Sequence, residues 1–426
     1  MAPGMPAWRV ARFLFALTLA VALSQFHRTA LAVVAPEIAR ELGASPEQLG
    51  LANGIFFVAL AVGQIPVGLA LDRIGPRRVV AALSALAVIG VALQSLAQSP
   101  AELIAARFVI GLGCSASFMA SVVLSARFFA GPGLTTAIAR IFALSQLGIL
   151  AAAAPLAEAS ALLGWRGALA LGGLLTAGSG LLALLWLRDH PPGHAPPATR
   201  ENLAEALLAQ ARIWRTPGLF PILSMHLVGY AAVATVIGIW AGPYLADVHG
   251  LDTSARGVVL TAMALALPAA GLLIGPVERR LNTRKRLVIA LALAAAATLA
   301  ALALWRGAPL PVAVGLLVLL CLASCYPVVV VAHGRMLFAD HLVGRGATTV
   351  NLAQVVGAAA LPWLVGLVVG AFPEAAGARP EAAYRAGFGL LALALMAGLA
   401  GYARSRDAPP DPARLSARRD PPAARP

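Results

Sequence analysis

The stretch Gly68-Leu69-Ala70-Leu71-Asp72-Arg73-Ile74-Gly75-Pro76-Arg77-Arg78 decides how this chain is read. A degraded second copy follows 207 residues later, as Gly275-Pro276-Val277-Glu278-Arg279-Arg280-Leu281-Asn282-Thr283-Arg284-Lys285. Each copy is a short basic loop joining two long apolar stretches. A loop of this kind, repeated between hydrophobic helices, indicates a duplicated membrane unit.

Composition agrees. The chain is 60% hydrophobic and only 12% charged, with a mean hydropathy of +0.84. A soluble domain carries about 25% charged residues. Apolar runs of about 20 residues, long enough to cross a bilayer, recur throughout. In a soluble protein the net charge of +14 would suggest nucleic acid. Here the basic residues concentrate in alternate loops, so no nucleic-acid partner is expected. Cys114, Cys321 and Cys325 all fall within apolar stretches and form neither a disulfide framework nor a zinc spacing. Arg9 and Arg12 precede an apolar run, and Ala30-Leu31-Ala32 resembles a signal cleavage site. The apolar segment nevertheless continues through Val33 and Val34, which reads as a retained first span.

Twelve spans are predicted, near residues 12–36, 46–71, 79–97, 102–127, 136–162, 166–187, 218–245, 255–278, 286–305, 310–337, 347–371 and 384–403. Backbone polar groups in lipid must be satisfied internally, so the fold class is an all-α integral membrane protein. The expected organisation is a six-helix bundle over 1–189, a cytoplasmic linker over 190–217, a second six-helix bundle over 218–404 and a disordered tail over 405–426. The linker begins Pro-rich, and Arg200 to Trp214 reads as a short amphipathic helix along the membrane surface. The N-terminus, the even-numbered loops and the tail hold 24 of the 32 basic residues. The positive-inside rule places both termini in the cytoplasm.

The loop at Gly68–Arg78 resembles the signature between helices 2 and 3 of the major facilitator superfamily, matching at Gly68, Asp72, Arg73, Gly75, Arg77 and Arg78. Leu103-Ile104-Ala105-Ala106-Arg107, followed by Gly111-Leu112-Gly113, resembles the family's helix 4 signature. The resemblance covers roughly residues 10–404. It implies two pseudo-symmetric six-helix bundles and secondary transport by a monomer. It also implies that Asp72 latches the two halves on the cytoplasmic side, against the start of span 11 near Gly346–Thr349. The local alternative is that the loop only fixes topology, with Asp72 held by Arg73, Arg77 or Arg78 or by a helix N-terminus.

Several polar residues inside the spans are candidates for function. Ser24-Gln25-Phe26-His27-Arg28-Thr29 is a strongly polar cluster in the middle of the first span. An ionisable residue in a span is a functional-site hypothesis by default. The guanidinium of Arg28 can clamp a carboxylate or phosphate in bidentate fashion, and His27 can change charge near neutral pH. Their adjacency points them about 100° apart on a helix, and a structural Arg28–Glu158 pair is the alternative. Glu158 is also a candidate proton carrier, or reaches the outer headgroups. Arg107 either snorkels to the outer surface, braces helices or takes part in proton coupling. Tyr230, Asn351, His226, Gln354, Asn53 and Gln64 can each line a cavity or hydrogen-bond between helices.

No phosphate-binding loop, nucleophile–base pair or metal-ligand cluster occurs, so neither an enzyme nor a bound cofactor is expected. The sequence predicts a transporter of the bacterial inner membrane for a small organic anion, with a coupling proton as a second ligand. Efflux of amphipathic compounds and a non-transporting receptor are the alternatives.

Overall fold

The computed structural model describes residues 6–129, 132–190, 213–338, 343–374 and 377–408. Among them there are helices and no strands. The first half contains α1 (Ala7–Thr29), α2 (Leu31–Leu42), α3 (Pro46–Arg73), α4 (Pro76–Leu96), α5 (Pro100–Phe128), α6 (Pro132–Ser145), α7 (Leu147–Ala151) and α8 (Ala154–Trp186). The second half contains α9 (Leu219–Thr235), a π-helical segment (Val236–Trp240), α10 (Ala241–Asp247), α11 (Thr253–Leu281) and α12 (Arg284–Leu304). It ends with α13 (Leu310–Ala323), α14 (Pro327–Arg335), α15 (Val343–Gly370) and α16 (Glu381–Tyr402).

Local sequence explains where the helices start and stop. Ser45 and Gln48 form a reciprocal capping box ahead of α3, with Pro46 at its first position. Ser99 accepts the Glu102 backbone N–H at the start of α5, with Pro100 at the first position. Gly43 ends α2 in the left-handed conformation.

Among the described residues, eleven helical stretches are long and apolar enough to cross a membrane. One of them, Thr136–Trp186, has 51 residues, or about 77 Å at 1.5 Å per residue. That is more than twice a hydrocarbon core of about 30 Å. It breaks at Gly164, where φ is 68° and ψ is 165°, so it crosses twice and the crossings number twelve. Large apolar side chains on the outside are well exposed, as at Leu162 (82%), Leu272 (78%) and Phe220 (71%). Water would penalise such a surface, whereas lipid matches it.

Contacts group the chain into two compact units. The first comprises Met1–Arg200, Ala234–Ala264 and Ala358–Gly387. The second comprises Glu201–Val233, Leu265–Gly357 and Phe388–Pro426. The first unit therefore joins the N-terminal half to segments from the far half of the sequence. Its core includes Phe13, Leu17, Val21, Leu71, Val80, Leu124, Phe128 and Ile141, with the Phe13 and Phe128 rings 4.7 Å apart.

The two signature loops share a device. In the first unit, Asp189 lies just past α8 and its Oδ1 accepts the Arg77 backbone N–H at 2.8 Å, at the start of α4. Gly75 has φ of 96°, and a Cβ there would lie 2.7 Å from the Asp189 carboxyl. Both facts require glycine. In the second unit, Asp407 lies just past α16. Its Oδ1 accepts the backbone N–H groups of Arg284 (3.2 Å) and Lys285 (3.0 Å), at the start of α12. The Thr283 hydroxyl donates to the other carboxylate oxygen. Each half thus uses a carboxylate beyond its last crossing to satisfy free N–H groups at the start of its third crossing, α4 or α12. The tail residues Ser405–Ala408 are packed here, with Lys285 Nζ donating to Ser405 O at 2.7 Å. The rest of the tail, nearly all of the linker's amphipathic stretch and the Asp72 side chain with its expected latch lie outside the described residues.

Burial alone would raise the Asp407 carboxyl. The bonds from Thr283, Lys285 and Arg284 outweigh it and hold the group below the usual carboxylate range. Its folded pKa is the lower one, so its stabilisation is complete above the ordinary carboxylate pKa. It is lost as pH falls through the depressed value. Asp407→Ala is expected to cost about 1 kcal/mol at pH 7, the usual worth of a helix cap. The difference in detergent melting midpoint from the parent should shrink as the pH is lowered through 4 to 3 (about the ordinary carboxylate value and below). An unchanged midpoint at pH 7 would remove the cap from the account.

Candidate functional site

Arg107 on α5 is only 1% exposed. It does not snorkel. Its Nη1 donates to the His27 carbonyl at 2.7 Å, and its Nε donates to the Ala52 carbonyl at 3.2 Å. Its guanidinium lies 4.7 Å from the centre of the Phe56 ring. One buried cation therefore ties the backbones of α1 and α3 together, and the next residue along each is Arg28 or Asn53.

Arg28 is half-buried, with its guanidinium 5.8 Å from the centre of the Phe57 ring. Its Nε is buried without a partner. Among the described residues no carboxylate pairs with it, so the alternative Arg28–Glu158 ion pair does not form. Glu158 is exposed on α8, six residues before the Gly164 break. Cys114 and Ser24 are near neighbours of one another, and Arg28 acts electrostatically on Cys114.

Asn53 is 1% exposed, yet both its amide oxygen and its amide nitrogen lack partners. A Cβ built on Gly238 would stand 3.6 Å from the Asn53 amide nitrogen and 3.7 Å from the Arg28 carbonyl. Gly238 lies in the π-helical segment, a wide turn that is common at functional sites. Thr235, just before it, is fully buried and its hydroxyl also lacks a partner. The Nη2 of Arg107 is a further buried donor without a bond. Leaving a buried polar group unpaired costs about 1–3 kcal/mol. A guanidinium together with unpartnered polar groups of this kind is chemically able to hold a small anion and to hydrogen-bond its substituents.

His27 points elsewhere. The Thr176 hydroxyl donates to the Gly172 carbonyl at 2.8 Å, so it accepts from His27 Nε2 at 2.9 Å. His27 therefore packs between α1 and α8, away from Arg28. Tyr230 and Asn351 belong to the second unit, where both are half-buried.

A second polar constellation closes the side that the basic-loop rule assigns to the exterior. Arg256, at the start of α11, is 3% exposed. Its Nη2 donates to Glu37 Oε1 on α2 at 2.5 Å and to the Val33 carbonyl at 3.2 Å. The Thr253 hydroxyl donates to the same Glu37 oxygen at 2.6 Å. Close backbone packing surrounds the pair. A Cβ on Gly242 would lie 1.7 Å from the Ala32 carbonyl, and Trp240 Nε1 donates to the Pro362 carbonyl at 3.2 Å. Beyond this seal is a cavity of about 470 Å³ with Arg40, Asp247, Arg379 and Tyr384 in its wall. Neither Glu37 nor Arg256 is among the candidates that the sequence singles out. The missed signal is that both sit within a turn or two of a span end, where a fold can still bury them.

A sequence model of the Major Facilitator Superfamily matches residues 17–332. The protein "Probable sulfoacetate transporter SauU" of Cupriavidus necator is 27% identical over 278 residues, which is 60% of this chain and 61% of that protein. The match thus spans about three-fifths of that relative's length. Solved structures share the fold across nearly the whole chain. A bacterial homologue of the human lysosomal transporter Spinster, inward-facing and unoccupied, is 18% identical with a TM-score of 0.72, covering 94% of this chain and 96% of that one. The nucleoside transporter NupG is 12% identical with a TM-score of 0.72 over 92% and 98% of the two chains. A D-xylose-proton symporter is 16% identical with a TM-score of 0.70 over 91% and 97%.

Glu37→Gln leaves a buried guanidinium without its counter-charge, a loss of about 3–5 kcal/mol for the closed seal. With Cys321 and Cys325 replaced by Ala, Cys114 is the only remaining thiol. A membrane-impermeant maleimide added from outside should then label Cys114 several-fold faster in Glu37→Gln than in its parent. Equal labelling rates would show that this ion pair does not hold the seal.

Proposed function

The chain belongs to the Major Facilitator Superfamily, and we propose that it carries a small organic anion, a carboxylate or sulfonate, across the bacterial inner membrane by alternating access. Arg28 carries this reading. It is a half-buried guanidinium on the first crossing, with an unpartnered Nε and no carboxylate paired to it among the described residues. An uncompensated cation in a membrane interior is costly, and an arriving anion offsets that cost. Asn53 and Thr235 add neutral hydrogen-bonding groups, and Tyr230 and Asn351 are further candidates for solute contact, within the second unit. The similarity to a sulfoacetate transporter supports the same ligand chemistry.

The proposed cycle rocks two six-helix halves, 1–189 and 218–404, about the bound solute, with both termini in the cytoplasm and the monomer as the working unit. The Glu37–Arg256 pair is then an outer gate, and the Asp72 loop is a cytoplasmic one. Efflux of amphipathic compounds would be better served by an acid in the cavity wall. Glu158, the span's carboxylate, is on an exposed face instead.

The test is uptake into proteoliposomes of labelled sulfoacetate, followed by a panel of short carboxylates and sulfonates. A charge-assisted bond of about 1.5–3 kcal/mol corresponds to a factor on the order of 10–100. Arg28→Gln is expected to lose that much uptake, and Arg28→Lys to retain part of it. Full uptake by Arg28→Gln would refute the clamp.

A further inference from the structure

Three buried histidines lie within the crossings: His27, His226 and His333. His27 is committed to Thr176. His333 donates from Nε2 to the Arg406 carbonyl at 2.8 Å, so its Nδ1 accepts from the Tyr402 hydroxyl at 2.7 Å. His226 is different. It is fully buried, and both ring nitrogens lack a partner. It sits seven residues into α9, about 10 Å along the helix.

The second unit's elements around His226 are all uncharged at this level. From α15 the Gln354 side chain is the hydrogen-bonding neighbour that acts on the ring, although neither ring nitrogen has a partner at close hydrogen-bond geometry. The same helix approaches at Gly357, where a Cβ would lie 1.7 Å from the Leu227 carbonyl. From the residue just ahead of α14, Tyr326 donates to the Gly229 carbonyl at 3.5 Å. From α16 the Gly398 carbonyl accepts the Ser224 hydroxyl at 3.2 Å. Tyr402 is tied to His333, whose charged neighbours are Asp407, Arg284 and Lys285. Among the described residues no charged side chain acts on His226.

We propose that His226 is the group that carries the coupling proton, a role that rests on the transport reading above. A neutral imidazole has one N–H and one free lone pair. In the structure neither is used, at a cost that packing alone does not explain. A proton from one aqueous side binds the lone pair and gives an imidazolium with two N–H donors. The Gln354 amide oxygen can accept one of them. Release of that proton to the other side restores the neutral ring, so each cycle moves one proton and leaves no other change. Arg107, which stays charged and holds two carbonyls, and Glu158, on an exposed face, are less suited to this step.

The experiment compares proteoliposomes containing the parent protein with His226→Gln, using sulfoacetate as probe. Counterflow exchange reports transport itself, and accumulation under a pH gradient reports coupling. The parent should do both. His226→Gln should lose gradient-driven accumulation by tenfold or more while exchange falls less than threefold. Exchange by the parent with no dependence on the gradient overturns the coupling role and leaves the transport reading intact. Gradient-driven accumulation by His226→Gln overturns it as well. A second measurement needs no substrate. Infrared difference titration of the parent against His226→Gln, both with isotope-labelled histidine, should show a buried imidazolium that forms in the parent as the pH is lowered and is missing from the variant. No such band overturns the proposal even if sulfoacetate proves not to be carried.

Discussion

The buried guanidinium of Arg107 is the constraint on which the rest of the first unit depends. A charged side chain inside a membrane protein is tolerated only when polar groups surround it. Here those groups are two backbone carbonyls, of His27 and Ala52. Backbone carbonyls belong to the helices themselves, so satisfying the charge fixes α1 and α3 relative to α5. The glycines of α5 allow the close approach this requires, since a Cβ on Gly111 would lie 2.4 Å from the Phe56 carbonyl. Arg28 and Asn53 follow immediately after the two stapled residues. Their placement follows from the staple.

A second consequence concerns energy. The side that the charge rule assigns to the exterior is closed by a buried ion pair and by glycine-to-backbone contacts. These are strong in a dry environment, but they enclose orphaned polar atoms on Asn53, Thr235, Glu37 and Arg256. Each orphan lowers the advantage of the closed arrangement by about 1–3 kcal/mol. A transporter needs states of nearly equal free energy, because a solute shifts the equilibrium only by its differential affinity for them. Tight packing offset by unsatisfied polar groups keeps the seal breakable.

The sequence shows the coarse architecture because lipid imposes it. Span length, the Gly68–Arg78 repeat and the loop arginines are one-dimensional signals, and the twelve crossings follow from them. The break predicted between the spans at 136–162 and 166–187 falls at Gly164, a single residue of positive φ with helical geometry on both sides. Side-chain direction is less legible. Periodicity puts His27 and Arg28 about 100° apart but does not say what either side chain meets, and in the structure His27 bonds to Thr176 on α8. Glu158 reads as an interior acid from its depth in the sequence, yet its helix face is exposed. Glu37 and Arg256 are 219 residues apart, and no local pattern connects them. Asp189 and Asp407 escape notice for the same reason, because each lies in a polar segment whose composition does not reveal a partner 112 or 123 residues away.

The most direct measurement is an experimental structure of the protein with the organic anion that it accumulates. The carboxylate or sulfonate should lie about 2.7–2.9 Å from the Arg28 guanidinium, with Arg107 still bonded to the His27 and Ala52 carbonyls. An anion bound without contact to Arg28 would contradict the account.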